Sequence, residues 1–150
     1  MTYAVQQDLV DRFGQQEILQ LTDRNNTGSI DATVAARALA DADAKINGYL
    51  ATRYALPLTT VPTVLVGIAA DLARYMLFDD GATPQVTQRY KDAIKFLQDV
   101  SSGAASIGVD AASQQPAAPS VGGPKVQANE RTFSRGSPAK GPGTIDDYAG

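Results

Sequence analysis

Residues 29–58, SIDATVAARALADADAKINGYLATRYALPL, constrain this chain more than any other stretch, because they join a capping start, a helical period and a hard stop. Ser29 or Asp31 can cap the N-terminus, and Val34, Ala35, Ala38, Leu39, Ala42, Ile46, Tyr49, Leu50 and Tyr54 then recur at spacings of three and four. That is one face of an amphipathic helix, and it predicts a central helix that Pro57 brings to an end. Arg37, Asp41, Asp43, Lys45, Asn47 and Arg53 fall between the apolar positions, as a polar side for water or for another subunit. Alanine dominates the first half of the apolar face, so neighbours should approach closely there and pack on Tyr49, Leu50 and Tyr54 at the other end.

The segments around it have helical signals of their own. Thr2 or Gln7 opens a short helix over 8–13 with Val5, Leu9, Val10 and Phe13 as its apolar set, and Gly14 is a natural stop. A second short helix over 15–21 adds Ile18, Leu19 and Leu21 to the same cluster. Residues 55–62 read as an extended connector with two prolines, after which Pro62 sits in the first turn of a helix preceded by Thr60 as a cap. The stripe Leu65, Ile68, Ala69, Leu72, Ala73, Tyr75 and Met76 predicts the most buried helix of the domain, with Asp71 and Arg74 spaced to pair on its surface. Asp79-Asp80-Gly81 ends it as a solvated terminus. Thr83-Pro84 starts the last helix, which carries Val86, Tyr90, Ala93, Ile94, Leu97 and Val100 and ends near Ser101; Arg89, Lys91 and Lys95 give it a mildly basic, solvated side.

The fold class that follows is all-α, a small helical bundle of two short and three longer helices over residues 1–101. From Ser102 onward Gly, Ala, Ser and Pro dominate and hydrophobes are too sparse for a core, so residues 102–150 form a long extended C-terminal tail that orders on partner chains. Fully extended it reaches on the order of 160 Å. Its candidate anchors are Arg131, Phe133 and Arg135 within VQANERTFSR, and Ile145 and Tyr148 near the end.

Chemistry is limited by what is missing. The chain has no His and no Cys, which removes the commonest general base, thiolate nucleophiles, disulfides and the usual transition-metal ligands, so enzymatic activity is disfavoured and no cofactor is implied. No 18-residue apolar run predicts a membrane span, and no secretory signal follows Met1. Residues 1–100 hold nine Lys and Arg against twelve Asp and Glu, and residues 101–150 hold four of each; dispersed cations of this kind argue against stable binding of nucleic acid.

One motif invites a ligand. Residues 23–31, DRNNTGSID, resemble the first nine positions of an EF-hand loop, with Asp23, Asn25, Thr27 and Asp31 as the candidate calcium ligands around Gly28. The twelfth position is Val34 where such a loop needs a bidentate Glu. A glycine-centred turn, with Asp23 and Asn25 capping backbone amides, accounts for the same residues without an ion. A calcium-binding or nucleic-acid-binding regulatory module is the alternative reading of the chain.

The segments YAVQQDLVDRFG, QLTDRNNTGSID, INGYLATRYALPL and IAADLARYMLFDD, in this order across residues 3–100, resemble the head-tail adaptor proteins of Mu-like phages and prophages. ERTFSR in the tail is similar to a short Arg/Phe patch near the C-terminus of such proteins, whereas the Pro/Gly-rich residues around it depart from the pattern. The resemblance implies a virion protein of the neck that forms a dodecameric ring between the portal and the stopper or tail-completion protein. DNA would pass through its lumen without specific binding, and no catalytic residue is carried over. The polar side of the central helix, Arg37, Asp41, Lys45 and Arg53, is then the expected subunit contact, and Arg131, Phe133, Arg135, Ile145 and Tyr148 the expected docking residues for the portal or a neighbouring subunit.

Overall fold

Five segments of helical period become five helices in the computed structural model, which describes residues 1–78 and 81–110: α1 Gln6–Phe13, α2 Gln15–Thr22, α3 Ala32–Leu50, α4 Thr63–Leu77 and α5 Pro84–Ser102. The described residues contain no strand, so the domain is all-α, with two short helices and three longer ones. Asp79 and Asp80, and the tail from residue 111, lie outside the described residues.

The break between α1 and α2 is a single residue. Gly14 has φ 89, which glycine tolerates and a side chain with a Cβ does not, and it ends α1 while starting α2. Neither Thr2 nor Gln7 opens α1. The Asp8 carboxylate accepts the Val5 N–H at 2.7 Å, so the capping group comes from inside the first turn. Asp31 starts α3, accepting the N–H groups of Thr33 and Val34 at 2.8 and 3.2 Å, and Thr83 accepts the Val86 N–H to cap α5 with Pro84 at its first position. Pro62 stands one residue before α4, at its N-cap position, and offers its carbonyl to Leu65 N–H at 2.9 Å.

α3 stops earlier than its apolar stripe. The N–H groups of Arg53 and Tyr54 both close on the Leu50 carbonyl, and the Thr52 hydroxyl takes the Tyr49 carbonyl, so the helix tightens into a turn that still carries Tyr54 into the core. The stripe therefore continues through a turn. At the other end of the domain Gly103 adopts φ 87 and terminates α5, and the chain then runs back over the bundle. Ala105 N–H bonds the Asp99 carbonyl, Arg53 Nη1 reaches the Ala105 carbonyl at 3.4 Å, and Ile107 and Val109 are buried. The hydrophobic core thus extends past the boundary expected at Ser101.

α3, α4 and α5 pack on one another, with the α3–α4 seam the most extensive, and α1 and α2 lie against α3 and α4. Ala35, Ala38 and Ala42 are buried on α3, as are Ala69, Ala70 and Ala73 on α4, which is how two long helices can approach closely. Leu9, Ile18, Ile46, Leu50, Leu65, Leu72 and Leu97 are fully buried, each contributing about 1.5–3 kcal/mol by removal from water.

Candidate interaction surfaces

In the 23–31 turn, Asp23 Oδ1 accepts the Thr27 N–H at 2.8 Å and its hydroxyl at 3.1 Å, while Oδ2 accepts the Gly28 N–H at 2.7 Å. These bonds, the Thr27 amide first, hold the exposed Asp23 carboxyl below the usual carboxylate range. Asn26 and Gly28 supply the positive φ that the turn needs, at 54 and 76. The turn is tied to the domain by Thr22, whose hydroxyl donates to the Ile18 carbonyl at 2.7 Å and accepts the Asp31 N–H at 3.2 Å. Of the candidate calcium ligands, Asp23 and Asp31 are engaged with backbone amides. Among the described residues no group of three or more Asp, Glu, His or Cys is placed to hold a metal ion.

The polar side of α3 divides into three. Arg37 and Asp41 are exposed and border a small groove that also meets Val34, Ala38, Met76 and Leu77. Lys45 and Arg53 are engaged within the chain. Lys45 Nζ donates to the Tyr90 hydroxyl at 3.0 Å and sits 5.3 Å from that ring, which stacks on Tyr75 at 4.1 Å; Arg53 is held between Ala105 and the Tyr54 ring. Asp43, expected on the same polar side, is buried at 7% exposure.

Asp43 is buried because the N-terminal segment closes over it. Its Oδ1 accepts the Tyr3 N–H at 3.1 Å, and the Tyr3 hydroxyl reaches Asn47 Oδ1 one turn further at 2.5 Å. Tyr3 and Ala4 are buried in turn. Burial pushes the Asp43 carboxyl up, against the opposing pull of the Tyr3 amide and the Met1 ammonium; burial and then the Asp43 charge push the Tyr3 phenol up. Asp43 shares the 39–43–46–50 register with Leu39, Ile46 and Leu50, and that spacing is the sequence signal that places it inward. No local signal marks Tyr3, whose partners are forty and more residues away.

Beside this clasp lies an open cleft of about 260 Å³, lined by Ala4 and Val5 from the N-terminal segment and by Ala36, Leu39, Ala40 and Asp43 from α3. Val5 is 54% exposed and Met1 46%, the two most exposed large hydrophobic residues among those described.

A second polar cluster joins α2, α4 and α5. Arg74 does not pair with Asp71 on its own helix: its Nε meets Glu17 Oε1 at 2.6 Å, with the guanidinium 4.4 Å from the Phe13 ring. Asp71 instead faces Arg89 at 3.0 Å, too poorly aligned for a hydrogen bond. The pairs are long-range because residues three apart on α4 look toward different neighbouring helices. Lys91 and Lys95 are exposed. Arg131, Phe133, Arg135, Ile145 and Tyr148 lie outside the described residues.

Residues 3–126 match the model of the family described as "Bacteriophage Mu, Gp36". The chain is similar to "Mu-like prophage FluMu protein gp36" of Haemophilus influenzae, 40% identical over 107 residues that cover 71% of this chain and 76% of that protein. It is also similar to "Gene product J" of Escherichia phage Mu, 37% identical over 137 residues that cover 90% of this chain and 96% of that protein.

Proposed function

Because this chain belongs to the Gp36 family of bacteriophage Mu and Mu-like prophages, we propose that it is the head-tail adaptor of a tailed phage, a structural protein and not an enzyme. In this reading it assembles as a dodecameric ring in the neck of the virion, between the portal and the stopper or tail-completion protein. DNA leaves the capsid through its lumen.

The observation that supports an assembling role is the apolar cleft lined by Val5, a large hydrophobic residue that is itself exposed. Charge fits the lumen. Residues 1–110 carry nine Lys and Arg against thirteen Asp and Glu, an acidic balance that does not grip sliding phosphates. Arg37 and Asp41, free of the intramolecular bonds that hold Lys45 and Arg53, are the subunit-contact residues of this reading. Among the described residues no helix is long and apolar enough to cross a membrane.

The test is quantitative mass spectrometry of purified particles, with electron microscopy of the full-length protein mixed with the portal of the same phage. Stoichiometric presence in virions and a ring seated on the portal are expected. Absence of the protein from infectious particles would end the adaptor reading.

A further inference from the structure

We propose that the cleft between the N-terminal segment and α3 receives the segment 131–135, RTFSR, of a neighbouring copy, with Phe133 against Ala36, Leu39 and Ala40 and a flanking arginine at Asp43. This docking rests on the ring reading only for its supply of a second copy.

Size and chemistry are the first argument. A cavity of roughly 150 Å³ already admits a benzene ring, so about 260 Å³ of apolar cleft accommodates a phenylalanine side chain and part of its backbone. Asp43 is a buried carboxylate whose Oδ1 has the Tyr3 amide as its hydrogen-bond donor. A guanidinium brought beside it compensates the burial of that charge. In an extended chain Arg131, Phe133 and Arg135 project to the same side, since alternate residues share a face.

Charge and reach are the second. Residues 125–140 carry Lys125, Arg131, Arg135 and Lys140 against Glu130 alone, opposite in sign to the acidic residues 1–110. Phe133 is the one phenylalanine beyond residue 110. The described chain ends at Asp110, and the 21 residues from there to Arg131 span up to about 70 Å, roughly twice the ~35 Å width of a domain of this size. A chain of that length is long enough to reach the next subunit of a ring.

The chain has no cysteine, so engineered pairs report without background. Full-length Ala36→Cys protein is mixed with full-length Ser134→Cys protein, which keeps Phe133, and oxidised, beside a control pair in which Lys91→Cys on α5 replaces Ala36→Cys. A disulfide-linked dimer well above the control is expected, and adding Arg131→Glu and Arg135→Glu to the Ser134→Cys chain should lower its yield about tenfold or more. A yield equal to the control overturns the proposal. So does a doubly substituted Ala36→Cys/Ser134→Cys chain that closes on itself as a monomer while the mixed chains give no dimer. Native mass spectrometry of the same samples separates this claim from the ring: rings without the cross-link remove the docking alone, and cross-linked dimers that never close into rings remove the ring reading alone.

Discussion

The N-terminal clasp and the 23–31 turn employ aspartate in opposite environments. Asp43 lies in the middle of α3, out of water, with the Tyr3 amide as its donor and a carboxyl pushed up by burial. Asp23 lies in the open, receives two backbone amides and a hydroxyl, and is pulled down by them. The first fastens a segment forty residues distant, and the second shapes five residues of its own neighbourhood. Environment, not residue type, decides which role an acid takes, and the two roles differ in what they cost when removed.

The largest effect is expected at the clasp. Asp43→Ala leaves the buried Tyr3 N–H without an acceptor and opens space beneath it, a loss of about 2–3 kcal/mol by chemical denaturation at neutral pH. Asp43→Asn keeps an oxygen for Tyr3 and should cost less. It also carries the pH test. With its folded pKa above the unfolded one, native Asp43 retains its proton where the unfolded chain has lost it, so stability falls as pH rises from the ordinary carboxylate value through the raised one. Asp43→Asn should flatten that decline. An unchanged profile would mean that Asp43 is not buried in solution.

Next comes the cap of α3. Asp31 accepts two N–H groups where α3 begins, and Asp31→Ala should cost about 1 kcal/mol. Asp31→Asn, which keeps the acceptor, should recover most of it. Tyr3→Phe removes only the hydroxyl bond to Asn47 from the clasp and is expected to cost about 0.5–1.5 kcal/mol. Hydrogen exchange of the Val5 and Gln6 amides should rise in Tyr3→Phe while those of α4 stay protected. Uniform loosening of both would show that the clasp is continuous with the core, and not a separate attachment.

How much of this is legible in the chain follows from how far each partner lies. Gly14, Asp31 and Thr83-Pro84 act on amides within a few residues, so the helix boundaries they set could be read directly. The fivefold helical pattern was equally legible, because burial on one face imposes a period. Asp43 reads as part of a polar side for water or another subunit even though 39–43–46–50 is a core register, since an acid in that register requires a cover that Tyr3, far away in the chain, provides. Asp71 and Arg74 misled in the same manner: their spacing allows a local pair, but Glu17 and Arg89 on packed neighbours take both. Ile107 and Val109 were hidden by their Gly- and Ser-rich surroundings, and the return of the chain over the bundle buries them. The cleft could not be read at all, because its two walls meet only after folding.

The smallest effect belongs to Asp23. Its carboxyl is exposed, and its bonds are short and local, so Asp23→Ala should loosen the turn with little change in global stability. The sign with pH is the reverse of that at Asp43. A depressed folded pKa contributes stability above the ordinary carboxylate value and loses it as pH falls through the folded one, so native protein and Asp23→Ala should converge in acid. Calcium sharpens the contrast. Both Asp23 oxygens already accept amides, Asp31 caps α3, and Val34 stands where a calcium loop needs a bidentate carboxylate, so an ion would have to break existing bonds to gain an incomplete shell. Millimolar calcium should therefore leave the melting temperature of native protein and of Asp23→Ala unmoved; a rise in the native protein alone would make the turn an ion site after all and return the calcium-binding reading to consideration.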